Sequence, residues 1–178
     1  MDKEKQGFFN EETIDEENND QFEEEIVHIN RVSKTVKGGK RMKFRVLMVV
    51  GNRQGVVGIG IGKSDQIPNG IRKAVNGAKR EMIEFPIRKG TLPFDVIGRQ
   101  GSAKVYLFPA VPGTGIIAGG SVRKILEKAG VTDVVAKIIG SHNAVNTARA
   151  TINALEQLKD PVVVSKQRGV PMKQLFGL

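Results

Sequence analysis

The chain has 178 residues, no cysteine and a formal net charge of +9. Without cysteine, disulfides and thiolate metal sites are excluded, and no apolar run approaches the roughly 20 residues that a bilayer span needs. The charge is uneven: residues 1–25 hold eleven Asp and Glu, and residues 26–178 keep 26 Lys and Arg against 8 Asp and Glu, a net of +18. A body so basic is the footprint of a nucleic-acid binder. With eight Phe, one Tyr and no Trp, phosphate and shape contacts are favoured over base stacking.

In chain order, residues 1–21 are polar, acidic and without helical periodicity, and read as a disordered tail. They are unlike a secretory signal, which points to a cytoplasmic protein. Ile26–Val36 and Arg41–Val50 read as two strands of a hairpin, with the turn in Lys37-Gly38-Gly39-Lys40. Arg41, Lys43 and Arg45 alternate with Met42, Phe44, Val46, Met48 and Val50, so the second strand has one cationic and one core face. Six cations, Lys34, Lys37, Lys40, Arg41, Lys43 and Arg45, surround one turn. A basic edge strand can serve only to resist aggregation. The charge of the whole body favours an anionic partner instead, and nucleic acid is the polyanion that fits.

Gly51–Gly55 forms a second turn into a strand at Val56–Gly62, where Gly58, Gly60 and Gly62 share one face and Val57, Ile59 and Ile61 the other. Alternate glycines imply close approach by another backbone or a ligand. A helix follows, capped by Asp65, with Pro68 in its first turn and Ile67, Ile71, Ala74, Val75, Ala78 and Met82 as its apolar stripe. These elements make a domain over 22–86, and the Pro/Gly-broken stretch 87–93 marks a linker. The second domain, 94–160, reads as a βαβα module. It has a strand at Ala103–Phe108, a loop at Pro109–Gly120, a helix at Ser121–Ala129 stopped by Gly130, a strand at Val131–Ile139, and a helix from about Asn143 to Leu158. Residues 161–178 read as an extended tail. The fold class is α+β: a three-stranded antiparallel sheet plus helix, then the βαβα module.

Two segments invite an enzyme reading. Gly58–Ser64 resembles a phosphate-binding loop, but Val57 stands where the first glycine belongs and the segment alternates as a strand. Gly113–Ala118 fits the dinucleotide fingerprint, follows a strand and has Asp133 twenty residues on. Against it, Pro109 and Pro112 disturb the strand-to-helix turn, the helix starts only after Gly119-Gly120, and Asp133 lies near the start of its strand. A nucleotide- or dinucleotide-binding enzyme built on Gly113–Ala118 is the competing reading. His28 and His142 have no cysteine or spaced carboxylates beside them, and read as strand-surface and helix-cap residues. No catalytic residue, metal site or cofactor is expected.

Asn30–Gly39, the Gly58–Lys63 strand, Pro112–Gly120 and Ala136–Asn143 followed by Arg149-Ala150-Thr151 closely resemble the universal family of small ribosomal subunit protein five. The resemblance runs from about Phe22 to the C-terminus. It implies a first domain like a double-stranded-RNA-binding fold and a structural place in the body of the small subunit, near the neck. The implied partners are ribosomal RNA, small-subunit proteins four and eight, and messenger RNA near its entry path, with no membrane and with a part in translational accuracy. By position it places ribosomal-RNA contacts at the hairpin. With the residue reading, the candidate set is Arg31, Lys34, Lys37, Gly38, Gly39, Lys40, Arg41, Lys43, Arg45, Arg53 and Lys63. It places a protein interface at Gly113, Thr114, Gly115 and Arg123. The chain departs from the double-stranded-RNA-binding pattern in having no helix before its first strand, and residues 1–21 fall outside the shared region.

Overall fold

A computed structural model describes residues 22–172; the acidic tail 1–21 and the end of the C-terminal tail lie outside the described residues. The N-terminal sheet has the order β1-β2-β3-β4 and is antiparallel throughout: β1 Glu23–Val36, β2 Gly39–Gly51, β3 Val56–Ser64 and β4 Met82–Glu84. The expected three strands are therefore four. Met82, read as the end of the helical stripe, opens β4 instead and pairs with Gly58. The helix α1 spans Ile67–Arg80 and buries Gly70, Ala74, Val75 and Ala78. Its N-cap is Gln66, not Asp65, and it carries Pro68 in the first turn. Asp65 lies 3.6 Å from Lys43 instead, an exposed pair of small energetic worth.

The alternate glycines of β3 are explained by α1. A Cβ built on Gly58, Gly60 or Gly62 would meet the backbone oxygen of Ala78, Ala74 or Gly70 respectively. The helix lies directly on the bare strand face, so the close approach is by backbone and Gly58–Ser64 is sheet rather than a phosphate loop.

The second sheet has the order β5-β6-β8-β7: β5 Val96–Gln100, β6 Ala103–Pro109, β7 Ile116–Ile117 and β8 Val134–Gly140. Only β7 and β8 pair parallel, across the helix α2 Gly120–Ala129. The helix α3, Ala144–Leu155, completes the module with a buried face of Thr147, Ala148, Ala150, Thr151, Ala154 and Leu155. Gly130 ends α2 in the left-handed conformation, as read from the sequence. The strands β5 and β7 were not foreseen. The helix α4, Pro161–Arg168, replaces part of the expected extended tail: Asp160 caps the amide of Val162, Pro161 starts the helix and Gly169 ends it.

The two domains share a core. Val46 to Val50 are all buried, and they divide between two clusters. Val46, Met48 and Val50 pack with α1, whereas Leu47 and Val49 join Val57, Phe85, Leu92, Val122, Ile125, Leu126 and the interior of the second sheet. The stretch read as a linker is packed too: Leu92 is 2% exposed, and Arg88 and Thr91 exchange backbone hydrogen bonds of 2.9 and 3.0 Å.

Two glycines give opposite expectations. Gly60→Ala forces a methyl into the backbone of α1 and should destabilise by about 3 kcal/mol. Gly77 lies inside α1, and a Cβ there makes only ordinary contact, 3.9 Å from Gly60. Gly77→Ala should therefore stabilise by about 0.5–1 kcal/mol through helix propensity. Urea unfolding of both variants checks the pair; a Gly60→Ala protein as stable as the parent contradicts the packing described.

Candidate nucleic-acid interface

The hairpin owes its shape to its turn. Val36 pairs with Gly39, leaving Lys37-Gly38 as a two-residue loop. Gly38 has φ 91° and Gly39 φ 152°, and positive φ at the second loop position is what glycine supplies most readily. A Cβ at either glycine would meet nothing within 4 Å. The tip stands clear of the rest of the described residues.

Register assigns each predicted cation to a face, because directly paired residues lie on one side of a sheet and alternate along each strand. Lys34 pairs with Arg41, Val32 with Lys43, and Asn30 with Arg45, which in turn pairs with Lys63. Lys34, Arg41, Lys43, Arg45 and Lys63 therefore share one face. Arg31, opposite Phe44, and Lys40, opposite Thr35, lie on the other. Lys37 sits at the tip. Beyond the Phe44–Ser64 pair, β2 loses its β3 neighbour, so the hairpin projects as a bare ribbon. Five residues of β2, about 17 Å at 3.4 Å each, extend past that pair. Ser33, Lys34, Thr35, Arg41, Met42 and Lys43 are all exposed. A two-stranded ribbon with both faces in water is marginal by itself.

Arg53 does not join this set. It lies at the opposite end of β2, about 40 Å along the strand from Lys40. Its Nε is 2.7 Å from Oε1 of Glu23 and its Nη2 donates to Oε2 at 2.8 Å. Lys128 of α2 donates to the same Oε2 at 2.7 Å, and Lys124 lies 3.1 Å from Glu25. Glu23 and Glu25 therefore clamp the start of β1 to α2, across the domain seam. The Lys128 ammonium, and next the Arg53 guanidinium, hold the Glu23 carboxyl below its ordinary range.

The loop before α2 is organised by Asp133. Its Oδ1 accepts the amides of Gly113 at 2.8 Å and Gly115 at 2.9 Å, and its Oδ2 accepts the Thr132 hydroxyl at 2.8 Å. The Gly115 amide, followed by the Thr132 hydroxyl, lowers the Asp133 pKa against the opposing effect of burial. Arg123 folds back to donate to the Ile116 carbonyl at 2.8 Å, and Thr114 donates to Val111. Gly113, Thr114, Gly115 and Arg123 are thus brought together at one corner. The dinucleotide reading fails on this geometry. Two amides of the glycine loop are taken by Asp133, the acid that the reading reserved for a ribose, and the strand β7 separates the loop from α2. Glu23, Glu25, Lys128 and the loop role of Asp133 were not read from the sequence. Their partners lie far away in the chain, and spacing carries no trace of them.

Both lowered carboxyls fix the sign of an acid effect. A carboxyl with a depressed folded-state pKa contributes stability above its unfolded pKa, near 4, and loses it as pH falls through the folded value. Glu23→Gln should lower the thermal midpoint at pH 7 and flatten its fall as the pH drops below about 4. Thermal unfolding across that range checks this; parallel curves for both proteins would contradict the clamp.

Comparison with known proteins agrees with this architecture. Residues 22–86 match the family described as Ribosomal protein S5, N-terminal domain, and residues 98–168 match Ribosomal protein S5, C-terminal domain. Small ribosomal subunit protein uS5 of Thermotoga petrophila is 50% identical over 157 residues, which cover 88% of each chain. The uS5 protein of Pseudothermotoga lettingae is 48% identical over 168 residues, 94% of each chain. That of Acaryochloris marina is 47% identical over 157 residues, 88% of this chain and 89% of the other. The chain belongs to the ribosomal protein S5 family, and is accordingly a structural protein of the small ribosomal subunit rather than an enzyme.

Proposed function

We propose that this protein anchors ribosomal RNA through the projecting hairpin, with Lys34, Arg41, Lys43, Arg45 and Lys63 as one phosphate-binding face and Lys37 at the tip. The observation that carries the reading is the ribbon itself, exposed on both sides and bearing Lys34, Arg41 and Lys43 on one face, which Arg45 and Lys63 continue onto the sheet. Phosphate backbone fits such a surface because Lys and Arg meet it without requiring a particular base. Gly38 and Gly39 leave the tip backbone open to close approach. Family membership supports a cytoplasmic place in the ribosome, in the body of the subunit near the neck and the messenger-RNA entry path. The corner of Gly113, Thr114, Gly115 and Arg123 is then a surface for neighbouring small-subunit proteins, with proteins four and eight as the candidates, and a means of supporting accuracy. Arg53 is assigned to the domain seam, and Arg31 and Lys40 to a secondary role.

Face-specific variants test the assignment. Lys34→Ala, Arg41→Ala and Lys43→Ala combined should reduce the slope of log affinity against log salt for ribosomal RNA by about 0.7–0.9 per lost phosphate contact. Arg31→Ala with Lys40→Ala should change it by less. Equal slopes for the triple variant and the parent would sink the proposal. For the loop corner, Arg123→Glu should leave the thermal midpoint within a few degrees of the parent while lowering incorporation into subunits. Normal occupancy and normal miscoding would show that this corner is no interface.

A further inference from the structure

The only two histidines of the chain, His28 and His142, come from different domains and line one groove of about 550 Å³. Arg45 of β2, Lys124 and Ser121 of α2, and Asn30 of β1 line the same groove, and among the described residues no Asp or Glu does. Lys124 is partly neutralised by Glu25 at 3.1 Å, so the unbalanced charge rests mainly on Arg45. The floor is not a separate surface. His28 pairs with Leu47, on the row that follows Asn30–Arg45–Lys63 along the cationic face of the hairpin. From the Lys34–Arg41 row to the His28–Leu47 row is six residues, about 20 Å at 3.4 Å per residue. The basic face thus runs down the ribbon and into a cleft between the domains, where low-dielectric walls focus its field.

We propose that this groove is a second RNA site, holding the phosphate backbone that continues from the hairpin, with Arg45, His28, His142 and Lys124 as its donors. The inference rests on the RNA-binding reading of the hairpin. It adds that the seam between the domains is part of the same track, which neither domain possesses alone. Asn30 and Ser121 supply neutral donors beside the cations, as backbone-positioning contacts do.

Ser121 gives a test by sign. It lies in the first turn of α2, where a carboxylate favours the helix dipole, so Ser121→Glu keeps the fold. The full chain carrying Ser121→Glu should bind a small-subunit ribosomal RNA transcript about fivefold more weakly at low salt, the Coulomb effect of one charge at close range in water. Ser121→Lys should bind more tightly, and the difference between the Glu and Lys variants should close towards 1 M salt, where the Debye length is about 3 Å; His28→Gln with His142→Gln should bind more weakly through lost hydrogen bonds. Equal affinities for the Glu and Lys variants would overturn the groove, and would leave the hairpin standing if the hairpin variants still lose affinity. A parent with no salt-sensitive affinity at all would overturn the RNA reading itself. Unchanged RNA affinity with lost incorporation of Ser121→Glu would assign the groove to a protein. An equal penalty for inorganic phosphate would make it a free-anion site, and either result overturns the track.

Discussion

The structure depends on one strand being buried on both sides. From Val46 to Val50 the side chains alternate between two cores, Val46, Met48 and Val50 against α1 and Leu47 and Val49 against the second domain. Fully burying such side chains contributes about 1.5–3 kcal/mol each. Because the strand serves two cores at once, the domains cannot slide or separate without exposing one of them. The ion cluster of Glu23, Glu25, Arg53, Lys124 and Lys128 lies at the edge of this seam. Its side chains are partly exposed and screened, so it orients the seam more than it holds it.

The same strand carries the functional argument. Its buried half fixes the direction of its other half, which leaves the sheet as a ribbon that none of the described residues covers. The periodicity that sends Leu47 and Val49 into the interdomain core sends Arg41, Lys43 and Arg45 onto the same face further out. The cationic face and the shared core are one surface of one strand, divided by where the second domain begins. That continuity is why the hairpin and the groove lie on a single line rather than as two unrelated patches.

Much of this was legible in the residues. The hairpin, the cation alternation, the bare face of Gly58, Gly60 and Gly62 and the stop at Gly130 followed from local rules and hold in the structure. The run Val46–Val50 also announced itself: five consecutive apolar residues mean burial on both faces. Reading only one core face from the alternation missed the shared core. The helix α4 was missed although Asp160, Pro161 and Gly169 are its cap, first residue and stop, because its side chains show no apolar stripe. The short strands β4 and β7 have two or three residues and no pattern of their own; only their neighbours make them strands. The Asp133 and Glu23 networks were illegible for another reason. A carboxylate that accepts backbone amides eighteen and twenty residues away, or joins two domains, leaves no periodic signal.

The central claim is that the two domains form one cooperative unit through β2. Native-state hydrogen exchange on the full chain measures it directly. The amides of Val46–Val50, of α2 and of β6 should exchange through the same opening, with the same free energy and the same dependence on denaturant. An opening that exposes β6 and α2 at lower free energy while β2 stays protected would mean two independently stable domains, and would contradict the shared core.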